Sequence, residues 1–198
     1  MTPSPTDRRQ TLKIMKSEKT TKRHYSYKIA FLGILSALCI TFSFIEGLIP
    51  QLPFMPPGAK LGLSNIIVMY TAVMFSLPSA LCICLVKSAF VLITRGLVAS
   101  VMSLSGGIAS AIVMFFVSRR LKKLGYIGMG VAGAVTHNTF QLIAAMLITS
   151  TYQLVYYYPA LILFAIAAGM LTGTVFGVTL PVFEKITDKS AKSALRRD

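Results

Sequence analysis

Four closely spaced prolines, Pro50, Pro53, Pro56 and Pro57, divide two apolar segments that otherwise read as helix. A proline lacks an amide hydrogen and biases the residue before it away from helical geometry, so the chain has to break here. The stretch around them, Glu46 to Asn65 (EGLIPQLPFMPPGAKLGLSN), also carries an acid, a lysine and an asparagine. Close to a bilayer, non-helical backbone is tolerated only where protein or water satisfies its polar groups. Two arrangements meet that demand: a lid over a binding cavity, or an exposed loop whose prolines end one helix and begin the next.

The bilayer itself follows from composition. With 55% hydrophobic and 13% charged residues and a mean hydropathy of +0.70, the 198-residue chain has too little polar surface to cover a water-soluble globule. The net charge of +14 raises nucleic acid as a partner, but the placement of the charge excludes it. Eight of the 20 basic residues precede the first apolar run or open it, four lie between Arg119 and Lys123, and five follow Phe183. Tails and one short loop are where a cytoplasmic face concentrates lysine and arginine, and there they also meet anionic lipid headgroups. Cys39, Cys82 and Cys84 all lie in apolar runs, so neither a disulfide framework nor a metal site follows.

Read in order, the pattern predicts an all-α integral membrane protein. Residues 1–27 form a basic disordered cytoplasmic tail, residues 28–183 a six-helix transmembrane domain and residues 184–198 a second basic tail. The spans are expected over about Lys28 to Ile49, Lys60 to Phe75, Pro78 to Arg95, Val98 to Ser118, Tyr126 to Thr149 and Pro159 to Val182. The second is short for a bilayer core of ~30 Å. Gly106-Gly107 is expected to interrupt the fourth, and Tyr152, Tyr156, Tyr157 and Tyr158 to mark a membrane interface. An even number of spans places both termini and the basic loop on one side, which the charge bias makes the cytoplasm of a plasma-membrane, multi-pass protein.

Polar side chains inside such spans cost roughly 2.5 to 3.5 kcal/mol each when charged, so they normally face a bundle interior or a water-filled cavity. Here they are Glu46, Lys60, Lys87 and Arg95, joined by Asn65, His137, Asn138 and Gln141. Together they describe a substrate site open away from the cytoplasm. Blander roles stand beside this one: Glu46 and Lys60 pairing across the proline stretch, Arg95 reaching the headgroups, His137 bridging two helices. Lys87 is harder to place, because Glu46 is the one acid within a span. An anionic or electron-rich ligand, or a cage of backbone carbonyls, restores the balance. No cofactor is implied.

Small residues supply a second kind of feature. Gly169, Gly173 and Gly177 form a GxxxGxxxG stripe, suited to close helix packing within this chain or against a partner. Ala30, Gly33 and Ala37 place a similar small-residue stripe on the first span. There is no GxxxxGK[ST] loop for ATP and no GxSxG nucleophile.

The combination of EGLIPQLPFMPPGAKLGLSN, the basic mid-chain loop and GAVTHNTFQ, over about Tyr27 to Phe183, resembles the Gx transporter family, also described as heptaprenyl diphosphate synthase component I. That family is in turn similar to the substrate-binding S components of energy-coupling-factor transporters. The resemblance implies a small-molecule site beneath the first loop. It also implies that Ala30, Gly33 and Ala37 dock a transmembrane coupling subunit driven by ATPases.

The enzyme description can be tested against the residues. Prenyl chain elongation needs aspartate-rich clusters to hold Mg²⁺ on a diphosphate. The six acids of this chain form no DDxxD cluster, so that chemistry is not carried here. Two functions remain: a solute-binding subunit of an uptake system, or a non-catalytic membrane component associated with heptaprenyl diphosphate synthase, menaquinone biosynthesis or a membrane redox system.

Overall fold

A computed structural model describes residues 5–48 and 62–195, and every regular element among them is helical. The elements are α1 (Pro5–Leu48), α2 (Leu63–Met74), α3 (Leu77–Arg95), α4 (Leu97–Arg120), α5 (Gly125–Thr149) and α6 (Tyr158–Leu195). Short 3-10 turns at Lys122–Leu124 and Tyr152–Tyr157 precede α5 and α6. The prolines from Pro50 to Pro57, and Lys60, lie outside the described residues.

The chain divides into two units, Met1–Leu35 and Ser36–Asp198. The first is helical from Pro5 onward. Pro5 sits where a helix tolerates proline, and neither proline nor glycine recurs before Gly33. Likewise α6 continues beyond Val182, through Pro181, to Leu195.

In the second unit α3, α4, α5 and α6 pack in sequence order, and α2 touches all four. Every residue of α2 from Ser64 to Ala72 is buried. Apart from Ser64, Asn65 and Thr71 its sequence is apolar, which suits a helix enclosed by others rather than one lying on a surface. At 12 residues it rises about 18 Å, short of a ~30 Å hydrocarbon core. Five other segments, Lys28–Leu48, Leu77–Arg95, Leu97–Arg120, Gly125–Thr149 and Tyr152–Val182, are long and apolar enough to cross a membrane. The expected second span is therefore a central, sub-length helix among five long ones.

The distribution of side chains is that of a protein in lipid. Ile93, Leu147, Leu163 and Val178 are largely exposed, whereas Ser64, Thr71, Ser103, Ser110 and Thr172 are buried. Tyr152, Tyr156 and Tyr157 lie exposed around the α5–α6 connection.

Small residues set the interhelical spacing. A methyl group added at Gly169 would come within 2.5 Å of the Val131 Cα, and one at Gly173 within 2.5 Å of the Ile127 Cα and the Tyr126 carbonyl. The stripe on α6 thus packs against α5 of the same chain, around Gly130. The pair Gly106-Gly107 does not interrupt α4, which is continuous from Leu97 to Arg120. The missing side chains admit His137 of α5 at Gly106 and Cys84 of α3 at Gly107. Nearby, α3 and α4 are clasped by Ser88 and Ser100. Each hydroxyl donates to the other residue's carbonyl oxygen, at 3.1 and 2.9 Å.

Because backbone rather than a flexible side chain meets the added atom, Gly173→Ala is expected to destabilise the bundle by about 1–3 kcal/mol. Gly33→Ala, where the added methyl meets no atom within 4 Å, should not. Thermal unfolding in detergent compares the two; equal midpoints would show that α5 and α6 do not depend on the close approach.

Candidate functional site

The start of α2 is the polar centre of the described chain. Gly62 precedes it at φ 78°, ψ 18°, a left-handed conformation open to glycine, and offers no side chain to cap the helix. The first amide groups of a helix lack intrahelical partners and carry partial positive charge. Glu46, buried near the end of α1, fills that role from another helix. Its Oε1 accepts from the Leu63 amide at 2.6 Å, and its Oε2 accepts from the Ser64 hydroxyl at 3.0 Å. The Cys39 thiol lies 3.6 Å from the Ser64 carbonyl oxygen.

One residue on, Asn65 Oδ1 accepts from the Lys87 Nζ at 3.1 Å. Lys87 is 3% exposed, in the middle of α3. An ammonium so enclosed is costly unless hydrogen-bonded and balanced by charge. The first turn of α2 links it to both: Asn65 supplies the acceptor, and Ser64 beside it holds the Glu46 carboxylate. The pairing has a simple topological cause, since Asn65 and Lys87 sit symmetrically about the tight turn at Phe75 and Ser76 that folds α3 back along α2. It also places the start of α2 level with the midpoint of α3. Above that level α3 continues to Arg95, whose exposed guanidinium lies over Gly47 and donates to the Ser43 carbonyl oxygen at 3.5 Å.

The remaining candidates lie on α5. His137 is buried, with its ring against Gly106 of α4. Asn138 and Gln141 share a cavity of about 130 Å³ whose other walls include Met102, Leu142, Leu154 and Leu161. The cavity sits near the α5–α6 connection, between α4, α5, α6 and the preceding 3-10 turn. Gln141 is 6% exposed, and neither amide makes a protein hydrogen bond among the described residues. Of the eight residues picked out by the sequence, Glu46, Asn65 and Lys87 meet around α2, and Asn138 and Gln141 meet around the cavity. His137 packs on α4, Arg95 reaches α1, and Lys60 lies outside the described residues. Register relates the two groups in depth: Ser88, next to Lys87, is clasped to Ser100, and Met102 two residues further along α4 is a cavity wall.

Sequence reasoning missed Ser64, the second donor to Glu46, and the apolar cavity walls. The serine was legible in principle, because it opens a helix whose preceding glycine cannot cap. The cavity walls carry no signal of their own, since leucine and methionine are ordinary in any span. No group of three or more metal-binding side chains occurs among the described residues.

Removing the carboxylate leaves the Leu63 amide and Ser64 hydroxyl without their acceptor inside the bundle. Hydrogen bonds to a charged group contribute about 1.5–3 kcal/mol each, so Glu46→Ala is expected to lower stability by about 3 kcal/mol or more. Glu46→Gln, which keeps one acceptor oxygen, should recover part of it. Thermal midpoints of the three proteins decide; an unchanged midpoint for Glu46→Ala would show that α2 is held by packing alone.

Comparison with known proteins gives one match. The family model described as heptaprenyl diphosphate synthase component I matches residues 35–179, most of the helical bundle. No curated protein and no solved structure matches the chain. A match of that extent, over the residues that build α2, its buried cap and the amide cavity, places the protein: the chain belongs to the heptaprenyl diphosphate synthase component I family.

Proposed function

We propose that the protein is a membrane-embedded, substrate-binding subunit of a small-molecule uptake system, similar in role to the S components of energy-coupling-factor transporters. The observation that carries this reading is Lys87. Among the described residues, this lysine, 3% exposed in an apolar bundle, gives one of its three donors to Asn65, which leaves two for another acceptor. Its remaining donors suit an anionic or electron-rich group of a ligand lodged above the start of α2. Asn138, Gln141 and His137 would hydrogen-bond the same ligand, and Lys60 and Arg95 would add positive charge to its recognition.

The site then faces away from the basic α4–α5 loop, with both termini in the cytoplasm and the six-helix domain set in the plasma membrane. Half-length helices whose positive ends point at a mid-membrane site are a recurring device of transporters, and α2 has that form. Ala30, Gly33 and Ala37 would be the docking stripe for a transmembrane coupling subunit with its ATPases; each of the three is exposed. A second reading rests on the family description, which implies a partner synthase. In it the chain is a non-catalytic membrane component that recruits the enzyme, and the polar cluster is structural.

Native mass spectrometry of the gently extracted protein separates the two. The uptake reading expects a small-molecule adduct, lost in Lys87→Met and in Asn138→Ala while both variants stay folded, together with a coupling subunit and ATPases. Co-extraction of a prenyltransferase or redox protein with no ATPase and no adduct would favour the second. Gly33→Leu should abolish co-purification of the coupling subunit and leave the thermal midpoint unchanged; retention of the complex would remove this stripe from the interface.

A further inference from the structure

The cavity between α4, α5 and α6 presents a chemistry different from that of the Lys87 cluster. Its walls carry no ionisable side chain. They offer two amides on one wall, Asn138 and Gln141, three residues apart and so adjacent on the face of α5. Each amide has a carbonyl acceptor and two N–H donors. Gln141 is buried, and neither amide is answered by a protein group among the described residues. An amide facing an apolar cavity gains from partners on both its oxygen and its nitrogen, so the wall suits something that is both donor and acceptor.

Water is a poor occupant. At about 30 Å³ per molecule, a cavity of about 130 Å³ has room for roughly four waters, each wanting two to four polar partners. Met102, Leu142, Leu154 and Leu161 supply none. A charged ligand group is excluded by the same surfaces, since nothing in the walls balances it. A cavity of about 150 Å³ lined by apolar side chains accommodates one benzene ring, so the volume here suits a single six-membered ring.

Resting on the uptake reading above, we infer that this cavity receives a neutral, ring-sized head group of the ligand that carries a hydrogen-bond donor next to an acceptor. A lactam, cyclic imide or pyridone edge has that chemistry. Asn138 and Gln141 read the polar edge, and the leucines and methionine enclose the apolar face. Lys87, at similar depth on α3, is left to a separate electron-rich group of the same molecule.

The test uses the full chain in nanodiscs and three soluble probes: 2-pyridone, N-methyl-2-pyridone, which lacks the donor, and benzoate, which is anionic. Binding is followed by saturation-transfer NMR with competition. Saturable 2-pyridone binding is expected, at least tenfold weaker for the N-methyl probe and for Gln141→Leu. Ala145 is a further wall residue of the cavity; Ala145→Leu fills the space while both amides remain, so it should also weaken binding at least tenfold and covers the case in which Gln141→Leu fails to fold. Displacement of 2-pyridone by benzoate at equal concentration, absence of 2-pyridone binding, or binding indifferent to both variants would each overturn the inference. Retention of the co-extracted adduct by Gln141→Leu, with its loss in Lys87→Met, would overturn this inference and leave the uptake reading standing.

Discussion

A helix that begins inside an apolar helical bundle must find partners for its first amide groups within the protein, because hydrocarbon side chains offer none. The second unit of this chain is arranged around meeting that requirement for α2. Gly62 turns the backbone into the helix but has no side chain to cap it, and the cap comes instead from Glu46 at the end of α1. A carboxylate is the best available occupant, since it accepts two hydrogen bonds and complements the positive end of the helix dipole. The buried Lys87 is bonded to Asn65 in the same helical turn, one residue along from the Ser64 that holds this carboxylate.

Enclosing so polar a centre requires close helix packing without an ordinary hydrophobic drive, lipid being as apolar as the side chains. Glycine and serine supply it. Gly130, Gly169 and Gly173 bring α5 against α6, Gly106 and Gly107 admit His137 and Cys84 to α4, and the Ser88–Ser100 clasp joins α3 to α4. Near the α5–α6 connection, larger residues hold the helices apart and leave the cavity in which Asn138 and Gln141 stand. Tight contacts at one level and a void at another are two results of one pattern of side-chain size.

Much of this was legible in advance. The apolar runs and proline breaks mark the helices, and the polar residues inside the runs, Glu46, Asn65, Lys87, His137 and Gln141, all proved buried. Intramembrane polarity is a strong signal because the bilayer penalises it wherever it lacks a purpose. The length of α2 was half legible: a short run announced a short helix, but its enclosure by four others was not stated anywhere in its own residues.

The sequence by itself determined that the chain is a helical membrane protein, which side chains the lipid would reject, and which residues are small enough for helices to meet. These follow from the solvent, which acts on each residue separately. Only the tertiary structure decided that Glu46 caps α2, that Lys87 bonds Asn65, and that Asn138 and Gln141 face a shared space while His137 packs on Gly106. Those choices depend on the relative depth and rotation of helices distant in sequence. They are set by how side-chain volumes interlock across the bundle, a quantity that no single segment carries.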